Sequence, residues 1–215
     1  MEREIAIGSG TKRLAGILSI PPKARGMVVF AHGSGSSRHS PRNAFVAREL
    51  ERAGFATLLF DLLTEQEDEV YENRFNIPLL AKRLNEACEF LKTLPEAAKL
   101  PVAFFGASTG SAAALQAHAQ YSIPVFAIVS RGGRPDLAFD YLPKVKAPTL
   151  LIVGGEDVEV IGMNKAAFDK MSGLSPAQKQ LAIVPKATHL FEEPGALEQV
   201  AKRAAKWMEK NAAKN

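Results

Sequence analysis

The sequence predicts an α/β fold built on a mainly parallel sheet, and three observations predict it. Short apolar runs recur at Gly26 to Ala31, Phe55 to Phe60, Val102 to Phe105, Val125 to Val129 and Thr149 to Val153, with the length and branched or aromatic composition of strands buried on both faces. Segments with apolar residues at helical spacing lie between them, and strands alternating with helices at this interval imply a parallel sheet covered on both sides. The 215 residues are 47% hydrophobic and 23% charged, enough for one buried core, so residues 1–215 are expected to form a single domain.

In chain order, Glu4 to Ile7 and Arg13 to Ile20 alternate around Gly8-Ser9-Gly10-Thr11, the pattern of a hairpin, and Pro21-Pro22 ends it. The Gly26 to Ala31 strand delivers His32-Gly33-Ser34-Gly35-Ser36-Ser37 at its C-terminal end. Asn43 to Ala53 is read as a helix through Val46, Leu50 and Ala53, closed by Gly54. After the Phe55 to Phe60 strand, Asp61 to Phe75 is an acidic excursion, either a rim over a site or a solvated loop. Ile77 to Leu94 carries Ile77, Leu80, Leu84, Ala87 and Leu91 on one stripe of an amphipathic helix.

The Val102 to Phe105 strand, Gly106-Ala107-Ser108-Thr109-Gly110 and the alanine-rich segment behind them read as strand, tight turn and helix, with the strand near the sheet centre. Next come the Val125 to Val129 strand, a short helix around Asp136 to Leu142, the Thr149 to Val153 strand and a helix from Met163 to Met171. A strand from Gln180 to Val184 and a helix from Ala196 to Asn211 complete the chain, the last with Leu197, Val200, Ala204 and Trp207 on its inner stripe.

Composition excludes several classes. The 27 basic and 23 acidic residues leave a net charge of +4, dispersed apart from the Lys202 to Lys214 tail and without the aromatic interleaving of a nucleic-acid face. Cys88 is the single cysteine, so neither an intramolecular disulfide nor a cysteine metal cluster can form; four residues after Leu84 on a helix, it reads as buried. The N-terminus lacks signal-peptide order and no apolar run is long enough for a bilayer, so the expectation is a cytoplasmic protein with no membrane and no nucleic acid among its partners.

In a parallel sheet the loops leaving the strands' C-terminal ends share one edge. His32-Gly33-Ser34, Ser108, Asp157 and His189 all fall there. A serine hydroxyl is a poor nucleophile near neutral pH; an imidazole must take its proton, and a carboxylate must fix that imidazole's tautomer. Ser108 is the candidate nucleophile, His189 the base and Asp157 its partner, with Glu156 and Glu159 as competitors for the acid role. The order Ser, Asp, His is that of α/β-hydrolases. The oxyanion would meet the backbone N–H groups of Thr109 and Ser34. Of the other histidines, His118 falls in a helix, His39 beside arginines and His32 in the oxyanion loop, where a structural role is expected. Arg131 leaves a strand on the same edge and is a candidate for binding an anionic substrate group.

The stretches HGSGSSR, GASTG, LLIVGGEDVEV and PKATHLF resemble those of the dienelactone hydrolase-like branch of the α/β-hydrolases, from about Gly16 to Trp207. The resemblance implies an eight-stranded, mainly parallel sheet with an antiparallel second strand, helices on both faces, a minimal cap, no metal and no organic cofactor. Dienelactone hydrolases proper carry a cysteine nucleophile where this chain has Ser108, so the resemblance does not transfer their substrate. The chain is also similar to hydrolase-like modules attached to phosphoribosyltransferases, with no such partner domain expected within these residues. The function expected is a carboxylesterase-like serine hydrolase acting on a small-molecule acyl substrate. The alternatives are a catalytically silent ligand- or partner-binding protein and an acyltransferase using the same triad. The sequence leaves the oligomeric state open.

Overall fold

The computed structural model describes residues 2–8 and 13–212. Eight strands form one sheet: β1 (Glu2–Ile7), β2 (Leu14–Ser19), β3 (Met27–Ala31), β4 (Ala56–Phe60), β5 (Val102–Ala107), β6 (Val125–Arg131), β7 (Thr149–Gly154) and β8 (Lys179–Val184), in the order β1-β2-β4-β3-β5-β6-β7-β8. β2 runs antiparallel to both β1 and β4, and every other pairing is parallel. The expected eight strands with an antiparallel second strand are therefore present, with β5 inside the sheet. The turn residues Ser9, Gly10 and Thr11 lie outside the described residues.

Strand alternation explains the two cores. Val29, Phe104 and Ile128 point to one face, where they pack with Leu84, Ala113 and Met171. Their neighbours Phe30, Phe105 and Val129 point to the other and meet Val46, Leu50, Val200 and Trp207. With both faces covered, period-two polarity vanishes and the strands read as continuous apolar runs.

The helices are α1 (Pro41–Arg52), α2 (Glu65–Asp68), α3 (Ile77–Lys92), α4 (Thr109–Tyr121), α5 (Val158–Lys170) and α6 (Ala196–Ala212). Ser40 caps α1 by accepting from Asn43 N, and Asn76 caps α3 by accepting from Leu79 N, each with proline in the first turn. Residues 109–117 of α4 are all buried, because α4 is packed by β5, α3 and a 3-10 segment over Pro135–Lys144. Its alanines let those neighbours approach. Cys88 on α3 is 3% exposed, and burial pushes its thiol pKa up to about 12. No helix among the described residues is long and apolar enough to cross a membrane.

Two elements differ from the expectation. α5 starts five residues earlier, at Val158, because its first turn exposes Val158 and Glu159 and so lacks the apolar stripe that marks the rest. The acidic excursion is not a bare loop. Thr64 Oγ1 accepts from Glu67 N while Glu67 accepts from Thr64 N, a capping box that starts α2, and a 3-10 turn over Tyr71–Phe75 follows.

Candidate active site

Sheet order reverses between β3 and β5, which makes their C-terminal ends the switch point of the topology, where crevices form. The turn after β5 is steric in origin. A Cβ on Gly106 would stand 2.5 Å from Ser111 Cα, and one on Gly110 would stand 2.2 Å from the Ala31 carbonyl oxygen and 2.5 Å from that of His32. Only glycine lets α4 start this close to β3. Ser108 absorbs the bend at φ 50°, ψ −121°, a conformation that a residue with a Cβ holds only under strain. It is half-buried at the N-terminus of α4, and the loop after β3 lies against it: a Cβ on Gly33 would be 3.0 Å from Ser108 Cβ.

The carboxylate facing His189 is that of Asp157. His189 Nδ1 meets Asp157 Oδ2 at 2.6 Å, so Nδ1 carries the proton and Nε2 is left as the basic nitrogen. Asp157 stands at the N-cap position of α5, yet its side chain makes no capping bond. Glu156 and Glu159 are exposed. Glu156 N donates to Ala187 O at 3.0 Å, tying the acid loop to the histidine loop. Among the described residues no hydrogen bond joins Ser108 Oγ to His189. The imidazole borders the end of β6, its Cε1 3.5 Å from where a Cβ on Gly132 would be, and Ser108 borders it too, its N–H donating to Arg131 O. Such contacts are commonly longer without substrate.

His32 has the structural place expected of it. Its Nε2 accepts from Leu62 N at 3.1 Å, its Nδ1 lies 2.9 Å from Gly33 O, and burial lowers its pKa, so the ring is a neutral brace beneath the loop. Arg38 closes that loop on Asp61, donating from its backbone N at 2.7 Å and also from its guanidinium. Ser34 sits in the loop, and Thr109 opens α4 with one of the N–H groups that a helix leaves without an internal acceptor.

Arg131, the candidate for binding an anionic substrate group, lies at the end of β6. Alternation along β6 sends Ser130 toward α4, where it donates to Ser111 Oγ, and so sends Arg131 to the opposite face. There it is 6% exposed, 3.4 Å from Asn43 Oδ1 and over the ring of Phe191. Burial, with Arg42 nearby, holds its pKa down at about 10.

Two features gave no readable signal in the sequence. Phe191, 1% exposed and at φ 57°, anchors the histidine loop from below, and Glu192 pairs with Arg42 across it at 2.9 Å. Both depend on contacts far apart in the chain. The acidic excursion forms a rim, one of the two readings of that stretch. Asp68 and Arg74, joined by two 2.8 Å bonds, border a small cavity of about 10 Å³ with Leu62, Leu63 and Leu80, and His32, Gly33, Ser34, Gly35 and Thr109 form its other side. Buried Arg83 of α3 holds this rim through Glu67 and is itself steadied at 2.7 Å by Glu86 one turn along the same helix. The described residues contain no group of histidine, cysteine, aspartate and glutamate placed to hold a metal ion.

An eight-stranded, mostly parallel sheet with these loops at its switch point defines an α/β-hydrolase-fold protein. More narrowly, the chain belongs to the dienelactone hydrolase family, whose model matches residues 14–213. It is similar to the crystal structure of a dienelactone hydrolase from Anabaena variabilis, at 51% identity and a TM-score of 0.92 over 98% of both chains. It is 56% identical to a Mycobacterium tuberculosis protein that carries a provisional phosphoribosyl transferase name; the match covers 96% of this chain and 46% of that one, so the chain spans about half of that relative. At 17% identity and a TM-score of 0.75, over 97% of this chain and 94% of the other, the fold is shared with XC6422 from Xanthomonas campestris, described as an α/β serine hydrolase without a lid.

Proposed function

We propose that the protein is a serine hydrolase that cleaves an ester or related acyl bond through an acyl-enzyme on Ser108. The observation that carries this reading is the 2.6 Å contact of His189 Nδ1 with Asp157 on the edge where Ser108 is strained into its turn. His189 Nε2 takes the Ser108 proton as Oγ attacks the acyl carbon, and Asp157 holds the ring and its developing charge. The N–H groups of Thr109 and Ser34 receive the oxyanion, helped by the dipole of α4. His189 then protonates the leaving group, and water repeats the sequence to release the acid.

The experiment is a stopped-flow burst of p-nitrophenol from p-nitrophenyl acetate, expected from the wild-type chain and abolished by Ser108→Ala. The competing reading, a hydrolase-fold module that binds without turnover, draws on the relative of twice this length named for a different chemistry. It expects no burst from either protein.

A further inference from the structure

Thr109 is 2% exposed, and its Oγ1 is buried without a hydrogen-bond partner among the described residues. Buried hydroxyls are ordinarily paired, and leaving one unpaired costs stability. Its position explains why the fold does not pair it. At the first residue of α4 there is no preceding turn whose carbonyl a threonine could reach, and the cap position is taken by Ser108, whose side chain makes no capping bond. Thr109 lines the small cavity that the Gly33 to Gly35 loop shares with the rim, where the space is about 10 Å³, room for the centre of one water-sized group.

We propose that the Thr109 hydroxyl is a third donor to the acyl oxyanion, beside its own backbone N–H. This rests on Ser108 being the nucleophile. In the staggered rotamers that place Oγ1 gauche to the backbone nitrogen, both donors of one threonine can address a single acceptor. The rim leaves little room for solvent to compete. Such a donor acts on charge that exists only as the tetrahedral intermediate forms, so its loss lowers kcat and leaves KM in place.

The test measures kcat, KM and the thermal midpoint for p-nitrophenyl acetate hydrolysis by wild type, Thr109→Val and Thr109→Ser, with Ser108→Ala alongside. Expected for Thr109→Val is a fall in kcat of about 10- to 100-fold, at or below the weak end of what one oxyanion donor supplies. KM should stay within about twofold, by the same transition-state argument. The thermal midpoint should be unchanged or higher, and Thr109→Ser should recover most of the rate. An unchanged kcat in Thr109→Val overturns the proposal, as does an effect confined to KM. Equal losses in the valine and serine variants overturn it too, since they assign the effect to the methyl group. Full activity in Ser108→Ala is a separate outcome that defeats the serine reading itself.

Discussion

Gly110→Ala tests whether the nucleophile turn and the oxyanion loop are held in register by contact. The new Cβ would stand 2.2 Å from Ala31 O, 2.5 Å from His32 O and 2.6 Å from Ala31 C. All three are backbone atoms, so no side chain can swing aside. Restoring an ordinary contact moves the end of β3, and Ser34 with it, by about 1 Å relative to α4, a strain typical of core overpacking at about 1–3 kcal/mol. A displacement of about 1 Å in a reacting constellation costs on the order of a hundredfold in rate. The expected result is a kcat/KM for p-nitrophenyl acetate lower by about that factor, with a urea midpoint shifted by no more than the overpacking cost. Gly162→Ala is the control. It lies inside α5 with nothing within 4 Å of its Cβ, so it should gain about 0.5–1 kcal/mol and keep full activity. A Gly110→Ala protein with wild-type kcat/KM would refute the reasoning, and one destabilised but fully active would show that the loop does not position the reaction.

Three further outcomes are expected. Asp157→Asn should lower kcat on the order of a thousandfold or more by disturbing the His189 tautomer, whereas Glu156→Gln, an exposed side chain, should stay within a few fold; comparable losses in both would reject the assignment of the acid. Arg131→Met should leave stability unchanged or higher in urea titration at pH 7. Burial, with Arg42 nearby, holds the guanidinium near pKa 10 against an ordinary 12.5, a cost on the order of 3 kcal/mol present at every pH below about 10; a clear loss of stability would count against it. His118 accepts from Lys146 N and Ala147 N and is kept neutral by burial, so its folded pKa lies below 6.5. The unfolded chain takes up a proton below that pH which the fold refuses, so stability should fall as pH drops from about 6.5 toward the folded pKa. The fall should shrink in His118→Gln, and an identical pH profile for the two proteins would contradict this.

Much of the fold was legible because strands such as β3, β5 and β7, buried on both faces, leave apolar runs that stand out between helical stripes. The loops carrying Ser108, Asp157 and His189 were legible because each follows such a run, and the parallel topology then places them on one edge. The same burial hid what Arg131 does. Every residue of β6 is buried, so no polar alternation marks which face each side chain takes. The helix inside the rim was missed because α2 is four residues long with no buried residue, and its one signal, Thr64 with Glu67, lies inside an acidic run. Phe191 meets Arg131, and Glu192 meets Arg42, only after the chain has closed on itself, and no local pattern could announce them.

The most direct measurement is labelling with a fluorophosphonate followed by peptide mass mapping. One adduct is expected, on Ser108, formed by the folded wild-type chain, strongly slowed in His189→Ala and absent from Ser108→Ala. A folded wild-type protein that takes no label, or takes it on a residue other than Ser108, would contradict the central claim.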